Sequence, residues 1–217
     1  MAVFTRITQD ELQHWLQDRG CGNLISFEGI QSGIENTNYF VNTTTGRYVL
    51  TIFEKLKAED LPFYLGLMKH LARKGLAVPG PIANTKGELF NTLHDKPATL
   101  VNCLSGKSVD HPNPAQCREI GSFSAKAHLA VADFGGCTPN PRGLGWIEGA
   151  VSELEAHLPT DVRNLLLDEV NHQKTISRQA DFLNLPKGAV HADLFRDNAL
   201  MQGDQLCGVI DFYFAGV

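Results

Sequence analysis

Paired cysteines are missing from this 217-residue sequence. The five it has, Cys21, Cys103, Cys117, Cys137 and Cys207, are odd in number, scattered and without a Cys-x-x-Cys spacing. That argues against a disulfide framework and a structural zinc site, and reduced thiols are expected. The eight histidines also lack metal-ligand spacing. No run approaches the ~18 apolar residues of a membrane span. The opening Met-Ala-Val-Phe-Thr-Arg has no basic stretch followed by an apolar one. These absences point to a soluble, cytoplasmic protein with no membrane partner. Charge of one sign is never concentrated: 24 acidic residues face 19 basic ones, for a formal net charge of −5. No nucleic-acid partner is favoured, and small molecules are the expected partners. Internal repeats and low-complexity segments are absent too.

What is present suits a folded chain: 43% of residues are hydrophobic, enough to bury a core in one large domain or two small lobes. Thr8-Gln-Asp-Glu11 reads as a capping box, and Leu12, Trp15 and Leu16 follow at helical spacing until Gly20, which predicts a helix over about residues 8 to 19. Strands are predicted at Leu24 to Ile30, Asn38 to Thr43 and Arg47 to Glu54. A second helix is opened by Asp60 and Pro62 and closed by Gly75, and two more strands follow near Ile82 to Leu93 and Ala98 to Leu104. After Gly106 the pattern turns helical, so a lobe boundary and hinge are placed at 102 to 106. Asn113-Pro114 starts a helix with Ile120, Phe123, Ala127 and Val131 inward. Glu148 to His157 and Asp161 to Phe182 are two further helical stretches.

The C-terminal stretch carries the chemistry. His191-Ala-Asp-Leu-Phe-Arg-Asp-Asn198 is followed by a turn at Gln202 to Gln205 and by Asp211 in the apolar run Leu206 to Phe212. A hairpin there would return Asp211 close to Asn198. Phosphoryl transfer needs such a set: one carboxylate to take or orient a hydroxyl's proton, and a carboxamide with a second carboxylate to hold Mg²⁺ against nucleotide phosphates. Each residue alone would suit a surface loop or a strand-end cap. The order H-x-D-x-x-x-x-N, hairpin, apolar-D-F is what favours a kinase-like centre. Upstream, Ser32-Gly-Ile-Glu-Asn-Thr-Asn38 can turn tightly at Gly33 and offer donors to phosphates. By itself it reads as a polar hairpin loop.

On these motifs, with Tyr48-Val-Leu-Thr-Ile-Phe-Glu54, the whole chain resembles the choline kinase, aminoglycoside phosphotransferase and homoserine kinase superfamily, and within it the bacterial homoserine kinases. The resemblance implies an α+β, two-lobed protein-kinase-like fold: an N-terminal lobe over 1 to 104 with an antiparallel sheet, and a mainly helical C-terminal lobe over 105 to 217. It implies ATP and Mg²⁺ as cofactors and transfer of phosphate to the hydroxyl of L-homoserine, in threonine biosynthesis. Asp193 would be the catalytic base and Asn198 and Asp211 the metal ligands. Ser32, Gly33, Ile34, Glu35, Asn36, Thr37 and Asn38 would cover the phosphates, and Asn102, Cys103 and Leu104 would contact adenine. His191 would be a structural hydrogen-bonding residue.

Two departures from that pattern stand out. Thr51 occupies the place of the strand lysine that usually pairs the phosphates, with Arg47 and Lys55 the nearest cations. The sequence also stops six residues after Asp211, at Phe212-Tyr-Phe-Ala-Gly-Val217, where the superfamily continues with helices. A truncated chain is therefore expected, its apolar tail at Phe212, Tyr213 and Phe214 facing solvent and favouring self-association. The alternatives are a kinase for choline, an aminoglycoside, methylthioribose or another alcohol, and a non-catalytic nucleotide-binding fragment.

Overall fold

The computed structural model describes residues 3–31, 33 and 35–217. Ser32 and Ile34, two of the expected phosphate-covering residues, lie outside the described residues. The first helix, α1 (Gln9–Leu16), begins at a complete capping box: the Thr8 side chain accepts from the Glu11 amide, and the Glu11 carboxylate accepts from the Thr8 amide at 2.7 Å. Those hydrogen bonds, the backbone one first, hold the exposed Glu11 carboxyl down at about 2. Leu12, Trp15 and Leu16 are buried on one side of the helix.

Five antiparallel strands follow, β1 (Leu24–Gly29), β2 (Asn36–Thr43), β3 (Arg47–Phe53), β4 (Phe90–Leu93) and β5 (Lys96–Asn102), in the order β1-β2-β3-β5-β4. The expected antiparallel N-terminal sheet is present. Burial alternates residue by residue along β2, as a pleated strand with one covered face requires. The central strand β3 is buried without a break from Leu50 to Phe53. Tyr39, Val41, Leu50, Ile52, Ala98 and Leu100 form one core with Leu12, Trp15 and Leu16 of α1. Each valine, leucine or isoleucine side chain fully buried there contributes about 1.5–3 kcal/mol.

The strand expected over Ile82 to Leu93 is shorter. At 84–88 the chain closes on itself, because the Asn84 side-chain oxygen accepts from the amides of Lys86 and Glu88, a local turn that competes with strand pairing. The β4–β5 hairpin turns at His94 and Asp95, both with positive φ (52° and 57°), the backbone that two-residue hairpins favour. Helix α2 (Leu61–Arg73) has Pro62 in its first turn and ends before Gly75, as expected.

Helix α3 (Pro114–Ala130) is capped by Asn113, whose side chain accepts from the amides of Ala115 and Gln116. Of its expected inward residues, Phe123 is buried, with Val131 just beyond the helix; Ile120 and Ala127 are half-buried. Helix α4 (Leu144–Leu154) starts earlier than the sequence suggests. Helix α5 (Thr160–Ile176) ends earlier, and residues to Phe182 continue in a separate turn of helix, α6 (Ala180–Leu183). The last strands, β6 (Ala199–Gln202) and β7 (Gln205–Val209), form the hairpin foreseen around Gly203.

The chain groups into two compact units, one of 1–136 with 194–211 and one of 137–193 with 212–217. In the second unit, the apolar tail does not lie in solvent as expected. Phe212 and Ala215 are buried, and Phe214 is half-buried. The reason is backbone pairing: Val190 and Gly216 form an antiparallel bridge, and the Val217 amide donates to the Thr138 carbonyl at 2.8 Å. The premise for association through an exposed tail therefore falls.

Candidate active site

The sheet-bearing unit contains the proposed metal ligands. Asn198 ends a short 3-10 turn, Arg196–Asn198, that runs directly into β6, and Asp211 lies two residues past β7. The register pairs Ala199 with Val209, so Asn198 sits at the open end of the hairpin, where the Ile210 amide donates to its carbonyl at 2.9 Å. Asp211 adopts a left-handed backbone (φ 64°), which Asp tolerates better than most residues. The hairpin thus brings the backbones of the two positions together, as the sequence implies. Among the described residues no cluster of three or more His, Cys, Asp or Glu forms a metal site by itself. A carboxamide and one carboxylate are nevertheless hard oxygen donors of the kind Mg²⁺ takes when phosphates and water complete its shell.

The hairpin is fastened to the segment after β5. Lys107 and Met201 exchange two backbone hydrogen bonds, of 2.9 and 2.8 Å. Gly106 (φ 94°) lies so near that a Cβ on it would meet the Met201 oxygen at 2.9 Å. A Cβ on Gly208 would meet the Leu104 side chain at 2.4 Å, so Gly208 is what lets Leu104 lie against β7. Asn102 ends β5, and the Cys103 amide donates to the Arg47 carbonyl at 3.2 Å. Burial raises the Cys103 thiol above its ordinary value, against a smaller opposing pull from Arg47.

Around the expected phosphate loop, Gly33 has the positive φ (103°) that a tight turn requires. Glu35 lies 3.9 Å from the exposed Lys55. Asn36, Thr37 and Asn38 are the first residues of β2 rather than loop. Thr37 is buried; its hydroxyl donates to Glu54 at 2.6 Å and accepts from the amides of Phe4 and Thr5. The Thr51 hydroxyl, also buried, donates to the Asn38 side-chain oxygen at 2.7 Å.

The cations have other occupations. The Arg47 guanidinium lies 4.3 Å over the Phe40 ring, and Lys96, which the sequence does not single out, donates to Glu54 and Thr5. Glu54 is the hub of this network. Burial would raise its carboxyl, but the hydrogen bonds from Lys96, Thr37 and Thr5 outweigh that and hold it below its ordinary value.

Asp193 belongs to the other unit, where Ala192 before it takes a left-handed backbone (φ 61°), uncommon for alanine. The Asp193 amide donates to the His191 Nδ1 at 3.2 Å, and the His191 ring sits 4.4 Å from that of Phe212. Through those contacts His191 is packed beside Asp193 and Phe212. The Asp193 side chain is 14% exposed, and Arg142 Nη1 approaches its Oδ1 at 3.5 Å. Sequence reasoning missed Arg142 because Asn140-Pro-Arg-Gly143 reads only as loop.

Residues 26–217 match the APH family, the phosphotransferase enzyme family. The chain is 47% identical over 216 residues to the homoserine kinase of Polaromonas naphthalenivorans (strain CJ2), an alignment covering 100% of this chain and 68% of that protein. It is 44% identical over 216 residues to the homoserine kinase of Janthinobacterium sp. (strain Marseille), covering 100% of this chain and 67% of that protein. The chain therefore spans about two thirds of the length of these relatives.

Among solved structures, the amicoumacin kinase hAmiN, in complex with AMP-PNP, Ca²⁺ and Ami, superposes with a TM-score of 0.69 at 15% identity, covering 97% of this chain and 65% of that one. The spectinomycin phosphotransferase APH(9)-Ia, with ADP and spectinomycin, gives 0.66 at 13% identity, covering 98% and 70%. Likeness at this identity establishes the fold, a kinase-like mixture of antiparallel sheet and helices.

Proposed function

The chain belongs to the APH phosphotransferase enzyme family, in its homoserine kinase group, and from that premise we propose that it transfers the γ-phosphate of ATP to the side-chain hydroxyl of L-homoserine. Asp193 accepts the hydroxyl proton as the oxygen attacks phosphorus. The bond from phosphorus to the β,γ-bridging oxygen breaks, ADP leaves, and O-phosphohomoserine, a precursor for threonine synthesis, is formed. Asn198 and Asp211 hold Mg²⁺, which when bound supplies positive charge against the phosphates. Residues 32–38 cover the phosphates, Thr51 takes the usual lysine's place and Asn102 to Leu104 contact adenine at a hinge between lobes over 1–104 and 105–217. The cytoplasm is the setting this reading implies. Among the described residues no helix is long and apolar enough to cross a membrane.

The observation that carries this reading is the closure of the hairpin, with the Ile210 amide on the Asn198 carbonyl and Asp211 next in the chain. It supports reading the H-x-D-x-x-x-x-N, apolar-D-F order as a phosphoryl-transfer centre in a chain whose relatives are homoserine kinases. The test is ADP release by the full chain with L-homoserine, choline, an aminoglycoside and methylthioribose in turn. Turnover is expected with homoserine. Asp193→Asn should lower kcat about 10²- to 10⁴-fold and leave ATP affinity unchanged. Turnover only with another acceptor would replace the substrate, and nucleotide binding without any turnover would favour a non-catalytic role.

A further inference from the structure

We propose that Arg142 is the acceptor's carboxylate anchor: it binds the α-carboxylate of an amino-acid substrate whose hydroxyl is presented to Asp193. The inference deepens the homoserine reading above and rests on it.

Several contacts fix the arginine. Its own amide donates to the Asn140 side-chain oxygen at 2.9 Å, and the Gly143 amide donates to the Asn140 carbonyl at 3.1 Å, so residues 140–143 form a tight turn. That turn is pressed against the last strand-like residues, since a Cβ on Gly216 would meet the Asn140 Cα at 2.5 Å. From this platform the guanidinium carbon lies 3.7 Å above the Phe214 ring. The attraction of the cation to the ring face holds the guanidinium in place, and its five N–H donors lie in its own plane.

Only one donor direction is engaged, and weakly. Arg142 Nη1 reaches Asp193 Oδ1 at 3.5 Å, a long single contact rather than the short bidentate pair an arginine makes when it serves to lock a carboxylate. Among the described residues its side chain makes no other hydrogen bond, and it is 40% exposed. An accessible guanidinium held over a ring, with unspent donors, is suited to a planar anion.

Its place beside Asp193 decides which anion. An acceptor with a hydroxyl on Asp193 and an anchoring group on Arg142 must carry both a short distance apart. A four-carbon hydroxy amino acid does so through its carboxylate. Cationic acceptors such as choline or an aminoglycoside would instead meet a like charge at the catalytic carboxylate. Arg142 thereby selects the charge class of the acceptor without taking part in the chemistry.

The test compares L-homoserine with L-homoserinamide, which keeps the hydroxyl and amine but lacks the negative charge, in wild type, Arg142→Gln and Arg142→Lys. Wild type should prefer homoserine by about 10- to 100-fold in kcat/KM, the range for a charged hydrogen-bonded pair. Arg142→Gln should raise KM for homoserine by a similar factor, leave kcat near wild type and bring the two acceptors level. Arg142→Lys should keep part of the preference through charge alone. Equal use of both acceptors by wild type overturns the inference without needing a folded variant. Loss of kcat for both acceptors alike in Arg142→Gln also overturns it, and makes Arg142 a positioning residue for Asp193. A wild-type chain that phosphorylates neither overturns the kinase reading and this inference together.

Discussion

The Ile210 amide and the Asn198 carbonyl are joined by a 2.9 Å hydrogen bond that closes the β6–β7 hairpin one step beyond its last paired residues. Through it, Asn198 and Asp211 are held at one end of a short ladder, although thirteen positions separate them in sequence. Asn198→Ala and Asp211→Asn should therefore behave alike. Each is expected to raise the Mg²⁺ concentration for half-maximal activity by at least about 10- to 100-fold, the cost seen when even outer partners of a metal are removed. Metal titration of the coupled assay measures it. Divergent responses, with one variant indifferent to metal, would divide the two residues between different roles.

Glu54 predicts a pH-dependent contribution to stability. Its carboxyl lies below its ordinary value in the fold, because the hydrogen bonds from Lys96, Thr37 and Thr5 outweigh the cost of burial, and it reverts when the chain unfolds. The folded state thus binds fewer protons at this site. The stabilisation is fully present above the ordinary carboxylate range and is lost as pH falls through the lowered folded value. Glu54→Gln should be less stable than wild type by about 1.5–3 kcal/mol near neutrality, and the gap should narrow steadily in acid. Denaturant melts at several pH values test this, and a gap that widens in acid would contradict it.

Gly216 and Gly149 make a matched pair. A Cβ at Gly216 would lie 2.5 Å from the Asn140 Cα and 2.8 Å from its nitrogen, backbone atoms that cannot swing aside. Gly216→Ala should cost about 1–3 kcal/mol and disturb the turn that carries Arg142. Gly149, inside α4, has nothing within 4 Å of its added Cβ. Gly149→Ala should stabilise the helix by about 0.5–1 kcal/mol. Thermal unfolding of both variants gives the signs directly.

Periodicity and punctuation made most of the sheet and the early helices legible. Thr8 with Glu11, Asp60 with Pro62 and Asn113 with Pro114 each marked a helix start that the structure contains. Misreadings came where a side chain competes with the backbone pattern, as Asn84 does, or where distant segments pair. Nothing local in Phe212 to Val217 says that Val190 and Thr138 will take up its backbone. The motif order pointed to Asp193, Asn198 and Asp211, and the hairpin closes as that order implies. Arg142 was invisible, because its meaning depends on Phe214 and Asp193, both more than fifty positions away. The bonds from the Thr37 and Thr51 hydroxyls to Glu54 and Asn38 join residues 13 to 17 positions apart, which no local pattern announces.

The order of the two units along the chain bears on how the protein is made. The sheet-bearing unit is begun by residues 1–136 but receives its last hairpin only at 194–211, after the whole of 137–193 has been synthesised. On a ribosome, the bonds from Lys107 to Met201 and from Asn113 to Asp204 must wait while that intervening stretch emerges. Such late closure of a long loop slows folding, and leaves the segment around Lys107 that awaits its hairpin open to chaperones or to aggregation in the meantime.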